Sequence, residues 1–169
     1  MQNIILIGFM GTGKTAVGES LAKSLHTELA DTDTLIVEKA GMSIEEIFRR
    51  HGEPFFRNLE TEMLRVLTTV ENKIISTGGG IVLKPENHAL LKRIGKTILL
   101  RATPEVIIHR LSGDTTRPLL KGTNVEKRQR IEALLTERDS RYQEAAEFTV
   151  ETSLLTPEAV AQKIMEWVT

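Results

Sequence analysis

Short, mostly apolar runs alternate along this chain with longer stretches in which apolar residues recur every three or four positions. The runs are NIILI at 3–7, KIIST at 73–77, TILL at 97–100 and FTV at 148–150, with ELA at 28–30 a shorter one. Runs this short, without polar alternation, predict strands buried on both faces. After the first run, Val17, Leu21 and Leu25 fall at helical spacing. Ser43 and Glu46 form a capping box for a helix carrying Ile44, Ile47 and Phe48 and stopping near Gly52. Pro54 permits a new start, with Phe56, Leu59, Met63, Leu64 and Leu67 as its apolar stripe. Pro85 opens a further helix that Gly95 ends. Thr103-Pro104-Glu105 and Thr156-Pro157-Glu158 are N-terminal signals for two more, the second with Val160, Ile164, Trp167 and Val168 on one face. A long helix is expected near 125–145, and the aperiodic stretch 112–124 is expected to be a mobile loop.

Five strands separated by helices predict an α/β fold, a five-stranded parallel sheet with helices on both faces. Ligands in such sheets bind beyond the carboxyl ends of the strands. That rule gathers residues 8–15, 31–33 and 78–80 at one edge before any chemistry is invoked.

Composition narrows the classes. The chain has 169 residues, 40% hydrophobic and 27% charged, with no repeat or linker, so 1–169 reads as a single domain. A net charge of −1 provides no field for nucleic acid or an anionic membrane. The absence of cysteine excludes disulfides and thiolate chemistry and fits a reducing cytosol, so a cytoplasmic location is expected. No apolar run approaches the ~20 residues of a membrane span, and the first strand is too short for a signal peptide.

The sequence GFMGTGKT at 8–15 matches G-x-x-x-x-G-K-[ST], between a strand and a helix start as that motif requires. Its glycines let backbone N–H groups surround an anion, and the helix start adds unpaired N–H groups. Gly11, Thr12, Gly13, Lys14, Thr15 and Ala16 are therefore expected to bind a nucleoside triphosphate, with Lys14 on the β- and γ-phosphates and Thr15 on Mg²⁺. The bland alternative is a glycine-rich turn with an exposed lysine.

Asp31 and Asp33 stand two apart at a strand end, and in extended chain both side chains point to the same side. One is expected to hold Mg²⁺ through its water shell and the other to accept a proton from an attacking hydroxyl. A solvated turn is the alternative. Arg57 and Glu60 lie i, i+3 on one helix, either a brace or a surface ion pair. Arg138 shares a helix face with Ile131, Leu134, Leu135 and Tyr142, so it needs an anion, from the protein or from a ligand. Gly78-Gly79-Gly80 lets a ligand approach the backbone or simply makes a turn. The third strand ends without the aspartate of a motor or switch ATPase, which moves the metal to Thr15 and Asp31. Arg117, in RPLL, is placed to swing onto a transferring phosphate from a lid.

Taken together, GFMGTGKT at 8–15, DTD at 31–33, GMSIEEIF at 41–48, GEPFFRNLE at 52–60, STGGG at 76–80, RPLL at 117–120 and RDSRY at 138–142 resemble the shikimate kinases of the nucleoside monophosphate kinase-like group, in family order and over essentially the whole chain. The resemblance implies Mg²⁺-dependent transfer of the ATP γ-phosphoryl to the 3-hydroxyl of shikimate, by a protein expected to be a monomer. It implies catalytic roles for Lys14, Asp33 and Arg117, and contacts to the acceptor from Asp33, Arg57, Gly79, Gly80 and Arg138. Thr15 and Asp31 would serve the metal, and Arg110 would lie near adenine with Arg117 also on the nucleotide. Residues 32–60 would form a mobile substrate-binding region and 112–124 the lid. Glu151 and Arg101 depart from the usual pattern on the nucleotide side. The rival readings are a gluconate kinase-type enzyme and a non-enzymatic nucleotide-binding regulatory module.

Overall fold

A computed structural model describes residues 1–113 and 121–169. Its sheet has five parallel strands in the order β2-β3-β1-β4-β5. They are β1 (Asn3–Ile7), β2 (Glu28–Asp31), β3 (Lys73–Ser76), β4 (Gly95–Arg101) and β5 (Phe148–Glu151). β1 lies at the centre, pairing Ile4 with Ile74 on one side and Lys96 on the other. Strand alternation divides the core. Ile5 and Ile7 point into one cluster, Ile4 and Leu6 into the other. All four are essentially inaccessible to water, which is why none of the four is polar.

Helices α1 (Lys14–Ser24) and α8 (Pro157–Val168) cover the Ile4 and Leu6 face through Val17, Leu21, Val160 and Ile164. The opposite face carries α2 (Thr32–Ala40), α3 (Ile44–His51), α4 (Glu53–Leu67), α5 (Pro85–Ile94), α6 (Pro104–Leu111) and α7 (Asn124–Ala145). The expected caps are made: Ser43 accepts from Glu46 N, Thr103 from Val106 N and Thr156 from Ala159 N. Thr123 adds a capping box with Glu126 at the start of α7.

One expectation fails. Asp31 and Asp33 are not successive residues of an extended segment. Asp31 is the N-cap of α2, its Oδ1 accepting from Asp33 N at 3.0 Å and Thr34 N at 3.1 Å. A helix therefore begins at Thr32, and Gly41 ends it in the left-handed region at φ 67. The two carboxylates diverge in role because one is committed to the helix start and the other rides on the first turn.

Among the described residues no helix is long and apolar enough to cross a membrane. The expected lid 112–124 falls largely on 114–120, so Arg117 lies outside the described residues.

Candidate active site

The phosphate loop leaves β1 at Gly8 and enters α1 at Lys14. Gly8, Gly11 and Gly13 have φ of 145, 77 and 99, which a side chain would strain. At Gly8 a Cβ would also run into Leu100 O. The carbonyls of this loop are taken by donors of the protein itself. Lys14 Nζ donates to Gly8 O at 2.7 Å and Phe9 O at 2.9 Å. Thr12 Oγ1 donates to Phe9 O, Thr152 Oγ1 to Thr12 O at 2.9 Å, and Arg110 Nη1 to Gly11 O at 3.1 Å. With those acceptors taken, the loop's N–H groups are left to offer an anion, apart from that of Thr12, which donates to Phe9 O at 3.4 Å. Thr15 and Ala16 follow in the first turn of α1, where the helix start adds further unpaired N–H groups.

Arg110 also donates from Nη2 to Thr152 O at 3.0 Å, so it joins the loop to the segment after β5. Sequence reading missed Thr152, a buried threonine with no motif around it. The two departures noted above are both satisfied locally. Arg101 pairs with Asp139 at 3.0 Å, and Glu151 accepts from Ser153 N at 3.0 Å. Arg101 and Asp139 lie beside a cavity of about 600 Å³ that Phe9, Leu135 and Tyr142 also line.

The glycine triplet brings the second half of the site together. Gly78 N donates to Thr32 Oγ1 at 3.1 Å, and a Cβ on Gly78 would sit 2.7 Å from Asp33 Oδ1 and 3.1 Å from Glu60 Oε1. A Cβ on Gly80 would fall inside the Arg57 guanidinium, and one on Gly79 would lie 3.8 Å from Arg138 Nη1. None of the three has a positive φ, so it is close approach, not turn geometry, that requires glycine here. Beyond the triplet, Asn87 Nδ2 holds Ile81 O at 2.8 Å and Thr61 Oγ1 donates to Asn87 Oδ1 at 2.8 Å, which ties this loop to α4 and α5.

Asp33, Arg57, Glu60 and Arg138 thus converge from α2, α4 and α7 on one stretch of backbone. Arg57 Nη1 donates to Glu60 Oε2 at 2.9 Å, and the Glu60 side chain is only 1% exposed. This excludes the reading of a surface pair. Burial pushes the Glu60 carboxyl above the ordinary carboxylate range, against the opposing pull of Arg57; neighbouring Asp33 adds to the rise. For Arg57, burial acts to lower its pKa, but Glu60 and Glu53 together outweigh that and raise it. The two directions agree physically. Arg57 has two carboxylates and partial access to water, whereas Glu60 is deeper and leans chiefly on one cation.

Arg138 is 8% exposed, and its guanidinium lies 5.8 Å from the centre of the Phe9 ring. Among the described residues its Nε has no hydrogen-bond partner, and neither has Glu60 Oε1. Buried polar atoms are rarely left so, because each costs the desolvation of an unmade bond. Tyr142, one helical turn beyond Arg138 and the last residue of RDSRY, has no role of its own in the sequence reading. Burial raises its phenol, so it stays neutral and donates to Gly79 O, fixing the triplet from the α7 side. Its signals in the sequence are its place on the Arg138 face and at the end of RDSRY, and neither points to the Gly79 carbonyl.

Among the described residues no group of three His, Cys, Asp or Glu side chains could hold a metal ion by itself.

The sequence model described as shikimate kinase matches residues 10–169. A shikimate kinase of Thermodesulfovibrio yellowstonii is 48% identical over 166 residues, covering 98% of this chain and 94% of its own. One from Geobacter sulfurreducens is 45% identical over 167 residues, covering 99% and 91%. Among solved structures, a shikimate kinase from Acinetobacter baumannii in complex with shikimate superposes with a TM-score of 0.93 at 38% identity, covering 99% of this chain and 93% of that one. A shikimate kinase from Aquifex aeolicus does so at 0.83 and 36%, covering 99% and 96%.

Proposed function

The chain belongs to the shikimate kinase family, and on that premise we propose that it transfers the γ-phosphoryl group of ATP to the 3-hydroxyl of shikimate. The observation that carries the proposal is the convergence of Asp33, Arg57, Glu60 and Arg138 on the glycine triplet, at the strand ends beside the phosphate loop.

The donor end binds the triphosphate through the N–H groups of residues 11–16, with Arg110 on the nucleotide side. The acceptor's carboxylate meets Arg57 and Arg138, and its ring lies against Gly79 and Gly80. Asp33 then faces the reacting hydroxyl. The hydroxyl proton passes to the Asp33 carboxylate as its oxygen bonds to the γ-phosphorus, and the bond from that phosphorus to the β–γ bridging oxygen breaks to release ADP. Lys14 stabilises charge on the oxygens in transfer, and Arg117 is assigned the same task from the lid over 112–124. The region 32–60 is assigned the movement that admits the acceptor.

Mg²⁺ fits the residues present. It keeps much of its water and needs one or two carboxylates plus phosphate oxygens. Thr15 brings a hydroxyl to the loop end, and Asp31 has one oxygen committed to the α2 cap, leaving the other for a hydrated ion. Bound there, the ion supplies charge neutralisation to the phosphates. A monomer in the cytoplasm completes the proposal, in keeping with a chain that has no cysteine.

The test is a coupled ADP assay with ATP, Mg²⁺ and shikimate, with gluconate and AMP as control acceptors. ADP formation that depends on shikimate and on neither control is expected. ADP formation with gluconate or AMP instead would overturn the assignment.

A further inference from the structure

Arg57 holds two carboxylates at once. Glu60 takes Nη1 from the buried side at 2.9 Å. Glu53 Oε1 accepts from both Nε at 3.2 Å and Nη2 at 3.1 Å, so it closes the fork on the other edge. Nη1 is further boxed in by Gly80, whose backbone leaves no room for a side chain there. The Nε–Nη2 edge is therefore the one on which an incoming carboxylate can make two parallel hydrogen bonds, and Glu53 already occupies it.

The two glutamates differ in how firmly they are held. Glu60 is 1% exposed and fixed among packed residues, whereas the Glu53 side chain is 56% exposed. Glu53 opens α4 directly after Gly52, a helix start with no side-chain cap. A carboxylate in that first turn is favoured by the helix N-terminus and by water even when it lets go of Arg57. Glu53 can leave without stranding a charge; Glu60 cannot.

We propose that Glu53 is a placeholder for the acceptor's carboxylate: it fills the Arg57 fork in the empty site and is displaced when the acceptor binds. The inference rests on the function proposed above and adds to it a specificity-determining residue. While Glu53 is seated, Arg57 is oriented and neutralised. An anion takes its place only if it brings ring contacts as well, so loose carboxylates gain little. The competition reduces apparent acceptor affinity by the fraction of sites in which the fork is open.

The test measures shikimate binding by calorimetry in wild type, Glu53→Ala and Glu53→Asp, each with and without Arg57→Ala. A half-exposed pair is worth little, so Glu53→Ala is expected to tighten shikimate about two- to fivefold. Glu53→Asp keeps the charge at the helix start but is too short to close the fork, so it should tighten binding similarly. Neither change should matter once Arg57 is alanine, nor for shikimate with its carboxylate reduced to an alcohol. Weaker binding in Glu53→Ala would make the residue a brace, and unchanged binding would uncouple it from the site; either overturns the proposal. Tightening in Glu53→Ala but not in Glu53→Asp would assign the effect to the field of the charge and overturn it too. Absence of shikimate binding by wild type would instead overturn the function on which the inference rests.

Discussion

The two ends of this site are built on opposite plans. At the donor end the protein satisfies itself. Carbonyls of Gly8, Phe9, Gly11 and Thr12 each receive a donor from Lys14, Thr12, Arg110 or Thr152. At the acceptor end it does not. Among the described residues Glu60 Oε1 and Arg138 Nε are buried without partners, and burial works against the charge of Glu60. A phosphate loop can afford completeness because its ligand is read by backbone N–H groups that the fold holds in place. A small acid offers less to hold, so its side of the site is left with polar groups that only a ligand completes. On the function proposed above, binding energy there comes partly from repairing what the fold leaves unmade.

The largest expected effect tests the residue where the two ends meet. Asp33→Asn keeps the shape but cannot accept a proton, and a general base contributes about 10²- to 10⁴-fold. Turnover should fall within that range while shikimate binding persists; near-normal turnover would leave Asp33 a positioning group. Next is Lys14→Ala at the donor end, expected to cost about 10²- to 10³-fold in turnover, the scale of one preorganised donor. If the ends are as separate as described, shikimate affinity in the absence of nucleotide should not change with it.

Gly80→Ala sharpens the comparison from the acceptor side. The added methyl group must displace the Arg57 guanidinium, the far end of a flexible side chain, so the fold should survive. A misplacement of this order costs up to about 10²-fold, here read as weaker shikimate binding with ATP binding unchanged. Equal loss of both would mean that the ends are not independent.

The smallest effect is in pH. The Glu60 carboxyl is raised, so the folded protein takes up its proton before an ordinary carboxylate would. The stability it contributes is fully present below the ordinary carboxylate range and is lost as pH rises through the raised value. In Glu60→Gln, which cannot ionise, this loss should vanish, and thermal melts across pH would show it. Binding moves the other way. As pH falls through the raised value, Glu60 stops bracing Arg57 as a charge, and shikimate affinity should drop a few-fold in wild type but stay flat in Glu60→Gln.

Much of this was legible in the sequence, for identifiable reasons. The central strands announced themselves because burial on both faces leaves unbroken apolar runs at 4–7 in β1, 74–75 in β3 and 98–100 in β4. Arg138 stood out because an arginine on an apolar face demands an anion. The helix α2 was lost because Asp31-Thr32-Asp33 was read as one extended unit, although Asp31 before a helical run and Gly41 after it were the N-cap and C-cap signals. Glu53 was passed over beside the more conspicuous Glu60; their difference lies in burial and in which guanidinium edge each takes, and neither is written in an i, i+3 or i, i+4 spacing. Thr152 reaches the phosphate loop from the far end of the chain, a contact that only the sheet order creates.

The central claim is that the acceptor's carboxylate completes the Arg57 and Arg138 pair, and it is tested most directly by changing the ligand. Calorimetry would compare shikimate with its analogue in which the carboxylate is reduced to a primary alcohol, in wild type, Arg57→Ala and Arg138→Ala. Hydrogen bonds to charged groups are worth roughly 1.5–3 kcal/mol, so wild type should bind the alcohol about one to two powers of ten more weakly. In each alanine variant that gap should shrink toward nothing. Equal binding of acid and alcohol by wild type would contradict the account.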